Sequence, residues 1–128
     1  MSSVGFMRKI TLLARDYATR RVAFGKPIKN HPLHIQTLSR METETRACTA
    51  LVLDMALNLG KAEHGKQTDQ EALIQRLMSP VTKMYTAKQS VSVTSEGLEC
   101  FGGQGYMEDT GLPNMLRDAQ VHRNIYYL

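Results

Sequence analysis

The residues most able to meet a charged partner stand at the front of the chain. Arg8, Lys9, Arg15, Arg20, Arg21, Lys26 and Lys29 fall within the first thirty residues, and only Asp16 opposes them there. With a net charge of +4 at pH 7, that segment suits an anion: a phosphate-bearing cofactor, nucleic acid or a membrane surface. The glycines Gly102, Gly103 and Gly105 mark a second special stretch, whose commonest job is to stop a helix. His31, His34, His64 and His122 show no metal-ligand spacing and read as surface or core histidines. Cys48 and Cys100 lie far apart in apolar helical patterns, which makes them small core hydrophobes rather than a disulfide. A reducing compartment follows, cytoplasm or mitochondrion. The Arg-rich, acid-poor start also has the make-up of an organelle transit peptide. Against that, its apolar periodicity runs straight into a Phe-Gly-Lys-Pro turn. No apolar run is long enough to span a bilayer.

The elements that must position these residues read as helices. At 128 residues the chain is expected to form one helical domain over 1–128. The first pattern runs from about Ser3 to Ala23. Met7, Ile10, Leu13 and Tyr17 share a face, and Gly25 and Pro27 end the helix. The second runs from Pro32 to about Leu59, with Ile35, Leu38, Met41, Thr45, Cys48, Val52, Met55 and Leu59 as its stripe. Its opposite face pairs Arg40 with Glu44 and Glu42 with Arg46, and Gly60 to Gly65 is the exit. Thr68 and Glu71 have capping-box form. The third pattern runs from Asp69 to Phe101 on the stripe Leu73, Leu77, Val81, Met84, Ala87, Val91, Leu98 and Phe101. Pro80 either kinks this helix or starts a fresh one behind a Ser79 cap; the unbroken phase favours the kink. A short fourth pattern spans about Leu112 to Val121. No stretch alternates like a strand. The expected fold is all-α, an antiparallel bundle of three long helices and one short one, without a β-sheet.

Two motifs carry a resemblance. One is Arg21-Val22-Ala23-Phe24-Gly25-Lys26-Pro27-Ile28. The other is Glu99-Cys100-Phe101-Gly102-Gly103-Gln104-Gly105-Tyr106, followed by Arg117-Asp118. Together they resemble the two cofactor-facing turns of the acyl-CoA dehydrogenase C-terminal domain, and the gap between them fits that domain's two central helices. The finer likeness is to the branch that includes the bacterial alkylation-response protein AidB. It rests on Glu99 before the glycine pair, Pro80 within the third helix, and Gly111-Leu112-Pro113 leading into Arg117-Asp118. The resemblance covers about Ser3 to Val121. It implies a parent flavoprotein with an N-terminal helical domain, a β-barrel domain and this bundle, in which the bundle of one subunit touches the FAD of another. By that likeness Arg21 pairs with the FAD pyrophosphate, Phe24 packs near the flavin or adenine end, and Glu99, Gly102, Gly103 and Gly105 belong to the cofactor-facing turn. On the residues alone, Arg21 reads equally as a solvated or helix-terminal charge and Phe24 as plain core.

The departures bear on activity. The family base is usually a Glu in a Glu-Gly-Thr-like segment shortly after Arg-Asp. By register Tyr126 stands there, and no acid follows Asp118. A phenol with a pKa near ~10 is a poor base at neutral pH. The alternative base position of some relatives falls before Met1. Pro32 replaces a Gln that often meets the adenine. The sequence therefore implies a fragment or isoform of an FAD-dependent acyl-CoA dehydrogenase, without a catalytic residue of its own and inactive alone. Such a piece is expected to bind no FAD by itself and to associate with itself or with full-length relatives, acyl-CoA being a ligand of the parent only. Two rival readings are a non-catalytic helical self-association module and a nucleic-acid-binding domain of AidB type.

Overall fold

The structure, a computed structural model, describes residues 1–124. Four helices dominate it: α1 (Ser2–Arg20), α2 (Pro32–Glu63), α3 (Asp69–Glu99) and α4 (Leu112–Asn124). Helix α1 stops three residues short of the expected Ala23. The chain turns extended at Arg21 and forms a minimal antiparallel hairpin, β1 (Val22–Ala23) and β2 (Lys26–Pro27). This corrects the expectation of no strand at all: a two-residue ladder is too short to leave an alternating signature. Helix α2 runs past Gly60 to Glu63, and Gly65 supplies the left-handed exit at φ 63°.

The turn between α2 and α3 is held by polar groups. The Thr68 hydroxyl accepts from the Glu71 N–H at 3.2 Å, and the Thr68 N–H donates to Glu71 Oε2 at 2.9 Å. Lys61 from α2 donates to Glu71 Oε1 at 2.6 Å. That bond, ahead of the two from Thr68, draws the Glu71 carboxyl down to about 2. Helix α3 passes through Pro80 as one helix, so no fresh helix starts there.

The core lies where α1 packs on α3 and on the first half of α2, and α4 packs on α3. Met7, Ile10 and Ala14, Met41 and Cys48, Val93 and Leu98, and Leu112 and Met115 form one buried cluster. At Gly97 an added Cβ would lie 2.2 Å from Ile10 Cγ1, so α1 and α3 approach as closely as they do only because that position has no side chain. The inner side of α3 is lined with hydroxyls: Thr82, Thr86, Ser90 and Thr94 are all buried. Thr45 donates to the Met41 carbonyl at 2.7 Å, which uses its only proton. Thr11 is therefore the donor in the buried 3.3 Å contact between the two hydroxyls.

The three expected stripes are only partly buried. On α3, Leu73 and Leu77 are each 69% exposed, while Ala87 and Leu98 on the same face are buried. Leu13 on α1 and Ile35 and Leu59 on α2 are exposed too. No residue between Cys48 and Thr82 is buried. The periodicity is real, but between Cys48 and Thr82 no burial follows it, and at the covered end Leu13 and Ile35 lie at the margin of the packed face.

Candidate functional site

The hairpin after α1 builds one wall of the site. The Arg21 N–H still donates to the Tyr17 carbonyl at 2.9 Å, and its own carbonyl accepts from Ile28 N–H at 2.9 Å. Between them Ala23 pairs with Lys26 around a two-residue tip, with Phe24 at φ 53° and Gly25 at φ 79°. Two positive φ values make this the type I′ turn that matches strand twist. Gly adopts it freely, whereas Phe does so at a cost. Phe24 is 96% exposed, which corrects its reading as plain core. Its ring meets the His31 ring edge-on with centroids 6.0 Å apart.

The glycine turn builds the facing wall. Helix α3 ends at Glu99, and Phe101 leads into a 3-10 turn over Gly102–Tyr106. The Phe101 ring packs on Tyr17 of α1, centroids 4.8 Å apart, which fixes this turn beside the C-terminal end of α1. The result is an open cleft of about 630 Å³ lined by residues of both motifs, among them Tyr17, Arg21, Ala23, Phe101, Gly102 and Gly103. Two segments about eighty residues apart in sequence thus face one space.

The glycines of the second motif differ in what requires them. At Gly105 an added Cβ would lie 2.1 Å from the Leu98 carbonyl oxygen, so close packing against α3 demands glycine there. Gly102 sits at φ 59°, which favours glycine whatever the space. Gly103 has ordinary φ, and an added Cβ would meet nothing within 4 Å. The fold itself gives no reason for glycine at 103, and its backbone faces the cleft uncovered.

Not every expected site residue joins them. Phe24 stands at the hairpin tip, outside the cleft lining, and Glu99 is exposed on the last turn of α3. Arg117 makes a two-point pair with Glu108, at 3.0 and 2.7 Å, and its hydrogen bonds hold the Glu108 carboxyl below the usual range. Tyr126 lies outside the described residues. Cys100 borders the cleft as a free thiol, pushed up to about 11 chiefly by burial, with Glu96 and Glu99 adding to it. At neutral pH it is an unreactive thiol. Tyr17 and His31, which by type and spacing read as core or surface residues, also build the site. For Tyr17 its position one turn before Arg21 was the available signal.

The basic front is not one free patch. Glu42 of α2 receives Arg46 at 2.6 Å, Arg15 at 3.7 Å and Arg8 at 3.9 Å. Its carboxyl is held low, first by the Arg46 hydrogen bond and against some burial, with Arg15 and Arg8 adding to it. Glu42 therefore turns toward α1, not to the solvent face of α2. Arg20 pairs with Asp16. Among the described residues Arg21 has no ion-pair partner, which leaves its guanidinium available at the cleft. Arg40 and Glu44 do not form the expected pair. They line a groove of about 370 Å³ between α2 and α3, where the Tyr85 hydroxyl donates to Glu44 at 3.4 Å.

Comparison with known proteins identifies the family of the chain. The family model of the acyl-CoA dehydrogenase C-terminal domain matches residues 1–125. Acyl-CoA dehydrogenase family member 11 of Caenorhabditis elegans is 55% identical over 94% of the chain, and AidB of Escherichia coli is 33% identical over 95%. The crystal structure of Caenorhabditis elegans ACDH-11 in complex with C11-CoA superposes with a TM-score of 0.91 at 56% identity, over 94% of the chain. The chain spans about a fifth of the length of these relatives, 20% and 22% of the two proteins and 20% of the crystallised chain.

Proposed function

Since the chain belongs to the acyl-CoA dehydrogenase family, as its C-terminal domain, we propose that it carries one edge of an FAD site and works as part of a larger assembly. The cleft in which Arg21 faces the Gly102-Gly103 turn is the observation that supports this reading. A guanidinium offers a planar fork of donors that matches two phosphate oxygens. A turn with no side chain at Gly103 lets a flat or charged ligand approach the backbone. The residues therefore fit the diphosphate of FAD: Arg21 would bind it, and Gly102 and Gly103 would admit it. When bound, FAD supplies the hydride acceptor for oxidation of an acyl-CoA thioester.

This chain's own part is binding and orientation. A single edge leaves most of the cofactor in water. Affinity then stays near the roughly millimolar range, because few contacts offset the freedom lost on binding. No carboxylate stands at the register of the family base, where Tyr126 falls, so the chain alone should not abstract the proton next to a thioester carbonyl. Ultrafiltration of the purified chain with micromolar FAD should return all the flavin, and dye reduction with acyl-CoA and excess FAD should not exceed the free-flavin background. Stoichiometric yellow protein, or turnover lost on Tyr126→Phe, would contradict this reading.

A second property has its own support. Leu53, Leu57, Leu73 and Leu77 are 58%, 62%, 69% and 69% exposed, all on the end of α2 and α3 that α1 and α4 leave bare. Apolar surface gathered in this way favours association. Self-association, or docking on a full-length relative, follows as a proposal. Sedimentation of the chain as a monomer with no binding of apolar dyes would contradict it.

A further inference from the structure

We infer that His31 is a positioning residue for this edge: its imidazole braces the Val22–Pro27 hairpin that follows Arg21. The inference rests on the cofactor reading above and adds a part that the reading does not contain. His31 occupies the N-cap of α2, a position where Ser, Thr, Asp or Asn would satisfy a free helix N–H. Its side chain makes no such cap. Instead Nε2 lies 3.1 Å from the carbonyl oxygen of Ala23, eight residues earlier. A carbonyl only accepts, so Nε2 is the protonated nitrogen and donates. The same ring presents its edge to Phe24 at 6.0 Å and an interplanar angle of 74°.

The hairpin needs such a brace. Its ladder is two residues long, and an isolated hairpin of that size is marginal in water. Its tip holds Phe24 at a positive φ with the ring almost wholly in water, so neither backbone preference nor burial keeps Phe24 there. Beyond the ladder itself, the hairpin is closed at its base by the Ile28 N–H, which donates to the Arg21 carbonyl at 2.9 Å. His31 ties the upper part, and it does so from the N-cap of the thirty-two-residue helix α2. Helix α2 thereby fixes the hairpin next to Arg21, and with it the wall of the cleft.

The deciding substitution is His31→Asn. Asparagine is a better N-cap than histidine but is too short to span to Ala23. If His31 serves only the start of α2, His31→Asn leaves the hairpin unchanged. If His31 is the brace, amide hydrogen exchange at Lys26 and Ile28 should rise roughly fivefold or more, the effect of losing one ordinary hydrogen bond. Exchange in the core around Thr11 and Thr45 should stay as it was, which separates loosening of the hairpin from unfolding. His31→Ala should loosen the hairpin in the same way. Inorganic pyrophosphate, titrated into the labelled chain and followed by NMR, reads the second half of the inference. In wild type it should shift the Arg21, Gly102 and Gly103 signals, and in His31→Asn the response at Arg21 should weaken severalfold. Unchanged exchange in both variants would overturn the brace. Faster exchange with an undiminished pyrophosphate response would overturn its positioning role. No response in wild type would sink the cofactor reading, while the exchange comparison would still decide the brace.

Discussion

Leu73 and Leu98 lie about seven turns apart on one face of α3, yet the first is 69% exposed and the second 6%. The difference is not in the residues but in their neighbours. At the cleft end, α1 and α4 lie over α3, and even small side chains are fully enclosed: Ala14, Ala87 and Ala119 are all 0% exposed. At the turn end, α2 and α3 run on as a two-helix hairpin. Helix α2 has 32 residues against 19 in α1, about 48 Å against about 28 Å. Among the described residues no layer covers the surplus, and a polar latch at Lys61, Thr68 and Glu71 holds the two helices together. Amphipathic periodicity marks which face is apolar. Chain length and connectivity decide how much of that face is buried.

The sharpest way to test this contrast is to remove matched side chains from the two ends. Ile10→Ala, at a fully buried site, should cost about 2–5 kcal/mol in denaturant unfolding. Leu77→Ala should change stability by no more than about 0.5 kcal/mol. Replacing Leu73 and Leu77 together by Glu should lower dye binding and self-association without lowering the melting temperature. Similar losses at Ile10 and Leu77 would mean that the turn end is packed in solution after all.

A finer contrast lies within the glycine motif. Gly105→Ala sets a Cβ against a backbone carbonyl and should cost about 1–3 kcal/mol. Gly103→Ala meets open space, so its melting temperature should match wild type while its response to phosphate ligands falls. Equal destabilisation at both positions would show that Gly103 too is held by packing, and would remove the argument for an open cradle.

The latch should give a smaller effect with a pH signature. Thr68→Ala should cost about 1 kcal/mol through the lost cap. The Glu71 carboxyl is drawn down from 4.5 to about 2 in the folded chain. A depressed carboxyl stabilises the fold fully above its unfolded value and loses that contribution as pH falls through the folded one. Wild type should therefore lose stability between about pH 4.5 and 2, and Glu71→Gln should lose less across that window. Identical acid profiles would contradict the latch as an ionic contact.

Much of this was legible in the chain. Helix α2 begins at Pro32 and α3 at Asp69 as their residues imply, and the Thr68–Glu71 capping box forms as written. Local signals of this kind act through neighbours a few residues away. The two motifs stood out by type and spacing, but only the fold shows that they line one cleft, because Tyr17 and Phe101 join them across about eighty residues. The hairpin at Val22–Pro27 escaped because two-residue strands leave no periodicity. The buried hydroxyls of α3 do not stand out in the sequence because Thr82, Thr86, Ser90 and Thr94 look like a solvated face until the neighbouring helices are packed against α3. Glu42 likewise read as one half of a surface pair, since the arginines of α1 that converge on it are remote in sequence.

The claim at the centre of this account is that Arg21 and the Gly102-Gly103 turn form one edge of an FAD site at the covered end of the bundle. Residue-resolved NMR of the 15N-labelled chain in millimolar FAD tests it most directly. Chemical-shift changes should gather at Arg21, Ala23, Gly102, Gly103 and Gln104, and Arg21→Ala should abolish them while leaving the melting temperature within a degree or two. Changes gathered instead around Leu57, Leu73 and Leu77, or an unaltered response in Arg21→Ala, would contradict it.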